Sequence, residues 1–228
     1  MKYLNKCLLF LSFLCLFLVL KSSEEKLLLD SMNFIFQQLE VGNEIVFNLS
    51  CGMFISIWFY FLVVWLPEKK NKTRVKNHFI YQYAEFKRHL IMHIVGACKE
   101  PYESELLTDL MEPQTFKDYF KEKITVDQER WDVFLNNLNK DRLIDILNEF
   151  EAFKEATFYL LSNVQVDDDE VFAFLHRINA ISVTLKGISI DDDSLKQLSR
   201  LLWEMLAGFN WVDGYQDYDY FDSMFRKI

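Results

Sequence analysis

Two histidines four residues apart, His89 and His93, are the first pair in this chain whose types and spacing suit chemistry. On a helix the two rings share a face, as metal-binding pairs do, and Glu85 lies one turn earlier. The order is not HExxH, so the pair does not spell a zinc protease. A packed pair beside a membrane is the simpler account, and no metal ligand is assigned. The acidic runs Asp167, Asp168, Asp169, Glu170 and Asp191, Asp192, Asp193 offer oxygen ligands for a divalent cation. Both stand where a helix is expected to begin, and neither has the spacing of a calcium loop. Capping and the helix dipole account for them.

Covalent chemistry finds no foothold. Neither GxSxG nor GxxxxGK occurs, and the six glycines are scattered. The four cysteines, Cys7, Cys15, Cys51 and Cys98, form no CxxC pair, which argues against a disulfide framework and a zinc site. The expectation is a protein that is not an enzyme, with no catalytic residue and no cofactor. A third set lies in an apolar stretch: Asn48, Gly52 and Ser56, four residues apart. Gly52-xxx-Ser56 lets helices approach closely, and Asn48 can hydrogen-bond across an interface. These three are assigned to membrane helix packing, either between two spans of one chain or between copies.

The elements that would carry these residues begin with two apolar segments. Residues 45–66 hold no charge, and a helix of that length reaches about 33 Å, against about 30 Å of bilayer hydrocarbon. Residues 4–20 hold only Lys6. The layout around them also fits a signal peptide, but no small-residue cleavage site follows and no alanine precedes Ala84. An uncleaved anchor is expected. Between the segments, residues 21–44 place Leu27, Leu28, Met32, Phe34, Ile35 and Leu39 at helical steps, with Ser22 or Ser23 as cap. This outer loop reads as a short amphipathic helix.

Charge gives the orientation. Residues 68–88 carry seven basic and two acidic side chains, whereas residues 89–228 carry fourteen basic and twenty-seven acidic ones. So acidic a bulk argues against nucleic acid. Lys69, Lys70, Lys72, Arg74 and Lys76 follow the second apolar segment at once and read as an anionic-lipid and topology anchor. The loop 21–44 has two lysines against five acids. The positive-inside rule then puts both termini in the cytoplasm, at a bacterial inner (plasma) membrane. Pro67 should bend or end the second span.

Beyond the strip the pattern is helical throughout. Helices are expected over 78–98, stopped by Pro101, and from Ser104 to before Pro113. Another begins at Thr115, and one over 129–138 follows a capping box of Thr125 and Gln128. The longest, over 141–164, gathers Leu143, Leu147, Phe150, Thr157, Leu161 and Val164 on one face, with Ile146, Phe153 and Leu160 widening it. Two more run from Asp167 to Gly187 and from Asp191 to Gly208. A last helix from Gly214 would use Tyr215, Tyr218 and Phe221 or Phe225 to close the bundle. The fold class is therefore all-α: a two-helix transmembrane hairpin (1–66), a basic juxtamembrane strip (67–78) and a cytoplasmic helical bundle (79–228). The expected function is interaction, sensing or scaffolding by a membrane-anchored domain. The alternative is an oligomerising effector that permeabilises the bilayer on a cytoplasmic signal. Expected partners are the bilayer and a protein partner or further copies of the chain, with no nucleic acid.

Overall fold

The computed structural model describes residues 2–23, 39, 41–98, 101–186, 188, 193–210 and 213–228. The amphipathic loop helix, the Gly187 stop and the positions of Asp191 and Asp192 lie outside the described residues. Among the described residues the fold is all-α apart from two short hairpins, and the chain divides into two compact units, Met1–Asn71 and Lys72–Ile228.

The first unit contains two long apolar helices packed together, α1 (Lys2–Ser22) and α2 (Asn43–Tyr60). On α1 the covered line is Asn5, Leu8, Ser12, Cys15, Val19 and Ser22, alternating steps of three and four. On α2 it is Phe47, Ser50, Phe54 and Ile57, continued by Phe61 just beyond its end, with the same steps. That is the seam spacing of helices packed at a shallow angle, and serines at the seam let the backbones approach. Gly42, with φ of 85°, turns the chain into α2. The Asn43 side chain donates to Leu39 O (2.8 Å) and accepts from Leu39 N (3.0 Å), fixing that entry.

After Tyr60 the backbone widens into a π-helical turn, Phe61–Trp65, and resumes as α3 (Leu66–Ala97). Pro67 neither ends the helix nor leaves it regular. Its ring would crowd the carbonyl of Val63 and it has no N–H to give. The wider turn, in which Leu66 N–H donates to Phe61 O, absorbs that misfit.

The second unit is built on the buried stripe of α3: Val75, Phe79, Tyr83, Phe86, Leu90, Ile91, Ile94 and Val95. Short helices α4 (Ser104–Asp109) and α5 (Pro113–Lys121) follow, the latter with proline in its first turn, where no N–H is needed. Next comes a hairpin, β1 (Lys123–Thr125) and β2 (Gln128–Glu129), where a capping box of Thr125 and Gln128 was expected. The cap of α6 (Arg130–Asn136) is Glu129, in a reciprocal box with Asp132. The expectation fails because Thr125 and Gln128 pair across the strands, which local spacing does not show.

Helix α7 (Lys140–Asn163) starts on Asn139, whose side chain accepts from Arg142 N. Its buried line is Leu143, Ile146, Phe150, Phe153, Thr157, Leu160 and Val164. Leu147 and Leu161 lie at its edge, only partly covered. The Oδ1 of Asp168 accepts from Glu170 N and Val171 N to start α8 (Asp169–Leu185). After α9 (Ser194–Leu206), Gly208 takes φ of 62° to enter a second hairpin, β3 (Phe209–Asn210) with β4 (Gly214–Tyr215). A Cβ there would stand 2.8 Å from Gln216 O, so the turn admits only glycine.

The last helix, α10 (Tyr220–Arg226), is shorter than expected, and Gly214 and Tyr215 belong to the hairpin instead. Phe225 is fully buried, its ring 4.9 Å from Phe79 and 4.8 Å from Tyr83. Tyr215 and Tyr218 remain exposed. Phe86 stacks on Phe153 at 4.6 Å beside them. A second aromatic group joins Phe116, Phe120, Trp131 and Trp203.

Candidate functional site

Asn48, Gly52 and Ser56 lie on an exposed face of α2, away from the Ser50–Ile57 line that meets α1. A Cβ added at Gly52 would meet nothing within 4 Å. Ser56 Oγ donates to Gly52 O at 2.8 Å, an i to i−4 bond that satisfies the hydroxyl within its own helix. Within one chain, therefore, packing of the two helices uses other residues.

The five cations of the basic strip divide. Lys69, Lys70 and Arg74 are exposed, and the Lys69 ammonium stands 5.0 Å from the centre of the Trp65 ring. Lys72 and Lys76 are half-buried. Lys72 Nζ donates to Gln165 O (3.2 Å) and lies 3.7 Å from the Asp167 carboxylate. Lys76 Nζ donates to Arg226 O at 2.7 Å, at the end of α10, where backbone carbonyls lack helical partners. Burial holds the Lys76 amine below the ordinary lysine range, helped by the charges of Lys72 and Arg226.

His89 and His93 share a face of α3, and their acidic neighbour is Glu149 of α7. Its carboxylate lies 3.1 Å from His89 Nδ1 and 3.9 Å from His93 Nε2. Glu85 instead lies 3.9 Å from Arg88. Among the described residues no group of three or more His, Cys, Asp and Glu side chains is placed to hold a metal ion. His89 joins α3 to α7 by a hydrogen bond to Glu149, and His93 stands beside the same carboxylate without bonding it.

One constellation escaped the sequence reading. Lys87 is almost wholly buried, its side chain 3% exposed, and its Nζ donates to Asp219 Oδ2 (2.7 Å) and Met111 O (2.6 Å). Tyr83 OH donates to the same carboxylate, 3.0 Å from each oxygen. Asp219 also caps α10, accepting from Asp222 N at 3.0 Å. A buried lysine beside a tyrosine is a pairing seen in acid–base sites. Here both groups are spent on one carboxylate inside a packed core, and they work as a clasp. The signal was present: Lys87 follows Tyr83 by four on a stripe otherwise apolar. Its partner, far along the chain, carried none.

Burial pushes the Tyr83 phenol well above its ordinary value near 10, and the charge of Asp219 and the bond to it act the same way. Below pH ~10 the phenol is neutral whether folded or unfolded, and contributes no pH dependence. Above it the unfolded chain ionises and the folded one resists, so stability falls as pH rises. Thermal melts of the detergent-solubilised chain from pH 8 to 11 should show that fall, with a shallower slope in Tyr83→Phe. An unchanged slope would refute this role.

The outer side of α7 and α8 is the remaining feature. Phe158, Tyr159, Phe172 and Val183 are exposed there. A groove of about 520 Å³ runs between Lys154, Glu155 and Phe158 on α7 and His176, Asn179 and Val183 on α8. Asn179 Oδ1 is buried with no hydrogen-bond partner. No protein-family model matches this chain, no curated protein matches its sequence, and no solved structure matches its fold.

Proposed function

We propose that the chain is a membrane-anchored binding protein: α1 and α2 cross a bacterial plasma membrane, and the Lys72–Ile228 unit is a cytoplasmic interaction domain without catalytic chemistry. The observation that carries the membrane half is coverage. The apolar windows of the two long helices are only 11% buried although the helices pack together. The core helix of a water-soluble protein hides such a surface; here Phe10, Phe13, Ile55, Phe59 and Leu62 stand outside the packed seam. Lipid is the medium that covers them without cost. The binding half is supported by the exposed rings and open groove on α7 and α8, since large apolar side chains clustered at a helical surface mark contact sites.

Reporter fusions to Ile228 test the orientation. A fluorescent protein should light up in the membrane fraction, and a periplasmic phosphatase fused at the same point should be inactive. An active phosphatase would overturn the reading. A second reading, an oligomerising membrane effector, is favoured by the outward Asn48–Gly52–Ser56 face. Gly52→Leu should then abolish cross-linked oligomers in membranes, because the larger side chain prevents close helix approach. Oligomers that survive it exclude assembly through this face.

A further inference from the structure

We propose that the groove between α7 and α8 seats a basic amphipathic helix of a partner protein. This rests on the binding half of the reading above and names the partner's chemistry. Beyond the cavity beside Phe158, a second one of about 380 Å³ lies between Ile144 and Leu147 on α7 and Ser182 and Leu185 on α8. The two adjoin at Glu151 and Lys154, one turn apart on α7. From Ile144 to Phe158 the helix rises about 21 Å, and four turns of a partner helix span about 22 Å. Ile144 at one end and Phe158 and Val183 at the other are exposed, and Leu147 is only partly covered. The apolar face of a docked helix would cover all four, as amphipathic helices do in such grooves.

Charge selects the helix. The cations along the groove, Lys154 and Lys186, both face Glu151, whose carboxylate lies 2.7 Å and 3.9 Å from their ammonium groups. Arg177 lines neither cavity. Glu155 does line the groove, and among the described residues its carboxylate has no partner. Asn179 Oδ1, on the facing helix, has none either. Both of these atoms are acceptors, so an occupant that satisfies them brings donors, and lysine or arginine brings donors and positive charge together. The Asn179 amide can meet such a donor by turning about its soft last torsion. The surrounding field acts the same way. Residues 89–228 carry fourteen basic and twenty-seven acidic side chains, which draws a basic partner and repels a second copy of the same unit.

The test is photo-cross-linking of the full chain in phosphatidylcholine nanodiscs, with a benzophenone amino acid in place of Phe158. The probes are two synthetic helices of about four turns with leucine at every third or fourth position. Lysine fills the other positions of one, and glutamate those of the second. The lysine peptide should cross-link several-fold more than the glutamate peptide. Ala180→Trp, which fills the groove from an exposed position, should lose most of that product with an unchanged unfolding midpoint. Glu155→Lys should narrow the preference several-fold. Equal cross-linking of the two peptides, or a product unaffected by Ala180→Trp, would overturn the proposal while leaving α7 and α8 a contact surface. A cross-link between two copies of the chain in place of the peptide would make the second copy the occupant and overturn it too. No product of any kind would overturn both the proposal and the binding half of the reading.

Discussion

Asp219→Ala should destabilise the Lys72–Ile228 unit by about 3–5 kcal/mol, the loss expected when one partner of a buried ion pair is removed. The carboxylate accepts from Lys87 Nζ, Tyr83 OH and Asp222 N. Without it, the Lys87 ammonium keeps only Met111 O in a site closed to water. An uncompensated charge there costs more than the pair ever contributed. The clasp also explains the sign of a second substitution. Lys87→Met leaves Asp219, 14% exposed, with its tyrosine and backbone donors, so its cost should be smaller. Combining the two should recover part of the loss, by about 1–3 kcal/mol of non-additivity. Urea unfolding followed by tryptophan fluorescence measures all three. If Asp219→Ala costs less than about 1 kcal/mol, the clasp does not hold α10.

Phe225→Ala should cost a similar amount, about 3–5 kcal/mol, by opening a cavity among packed rings. Phe225 meets Phe79, Tyr83, Phe153 and Phe174 within 6.0 Å, centre to centre. Tyr218→Ala, seven residues earlier in the same aromatic-acidic tail, should change stability by no more than about 0.5 kcal/mol, because its ring is exposed. The contrast is the test. Equal small losses would mean that the tail does not close the core, and equal large ones that Tyr218 is packed in solution.

The tail shows where sequence reading stops. Its many rings called for a packed element, and α10 is one. Which rings enter depended on the β3–β4 hairpin, whose turn at Gly208 passes close to Gln216 O. That hairpin takes up Tyr215 and delays the helix to Tyr220. The His89–His93 pair was legible as a shared helix face. Its carboxylate was not, because Glu149 arrives from α7 and displaces the expected Glu85.

By itself the sequence determined most of the helices and, on α7, most of the buried stripe. Apolar steps of three and four over 143–164 and 171–185 are local, and a helix that buries anything must bury that stripe. It also determined that two long apolar helices would precede an acidic helical portion. Only the tertiary structure decided which face of each helix met a partner. On α2 the Ser50–Ile57 line met α1 and the Asn48–Gly52–Ser56 face did not. On α3, Lys72 and Lys76 turned to the bundle, and Lys87 became the buried half of an ion pair. The physical reason is the same in each case. A polar side chain's energy depends on what lies within about 3 Å of it, and those groups come from residues that no local pattern connects.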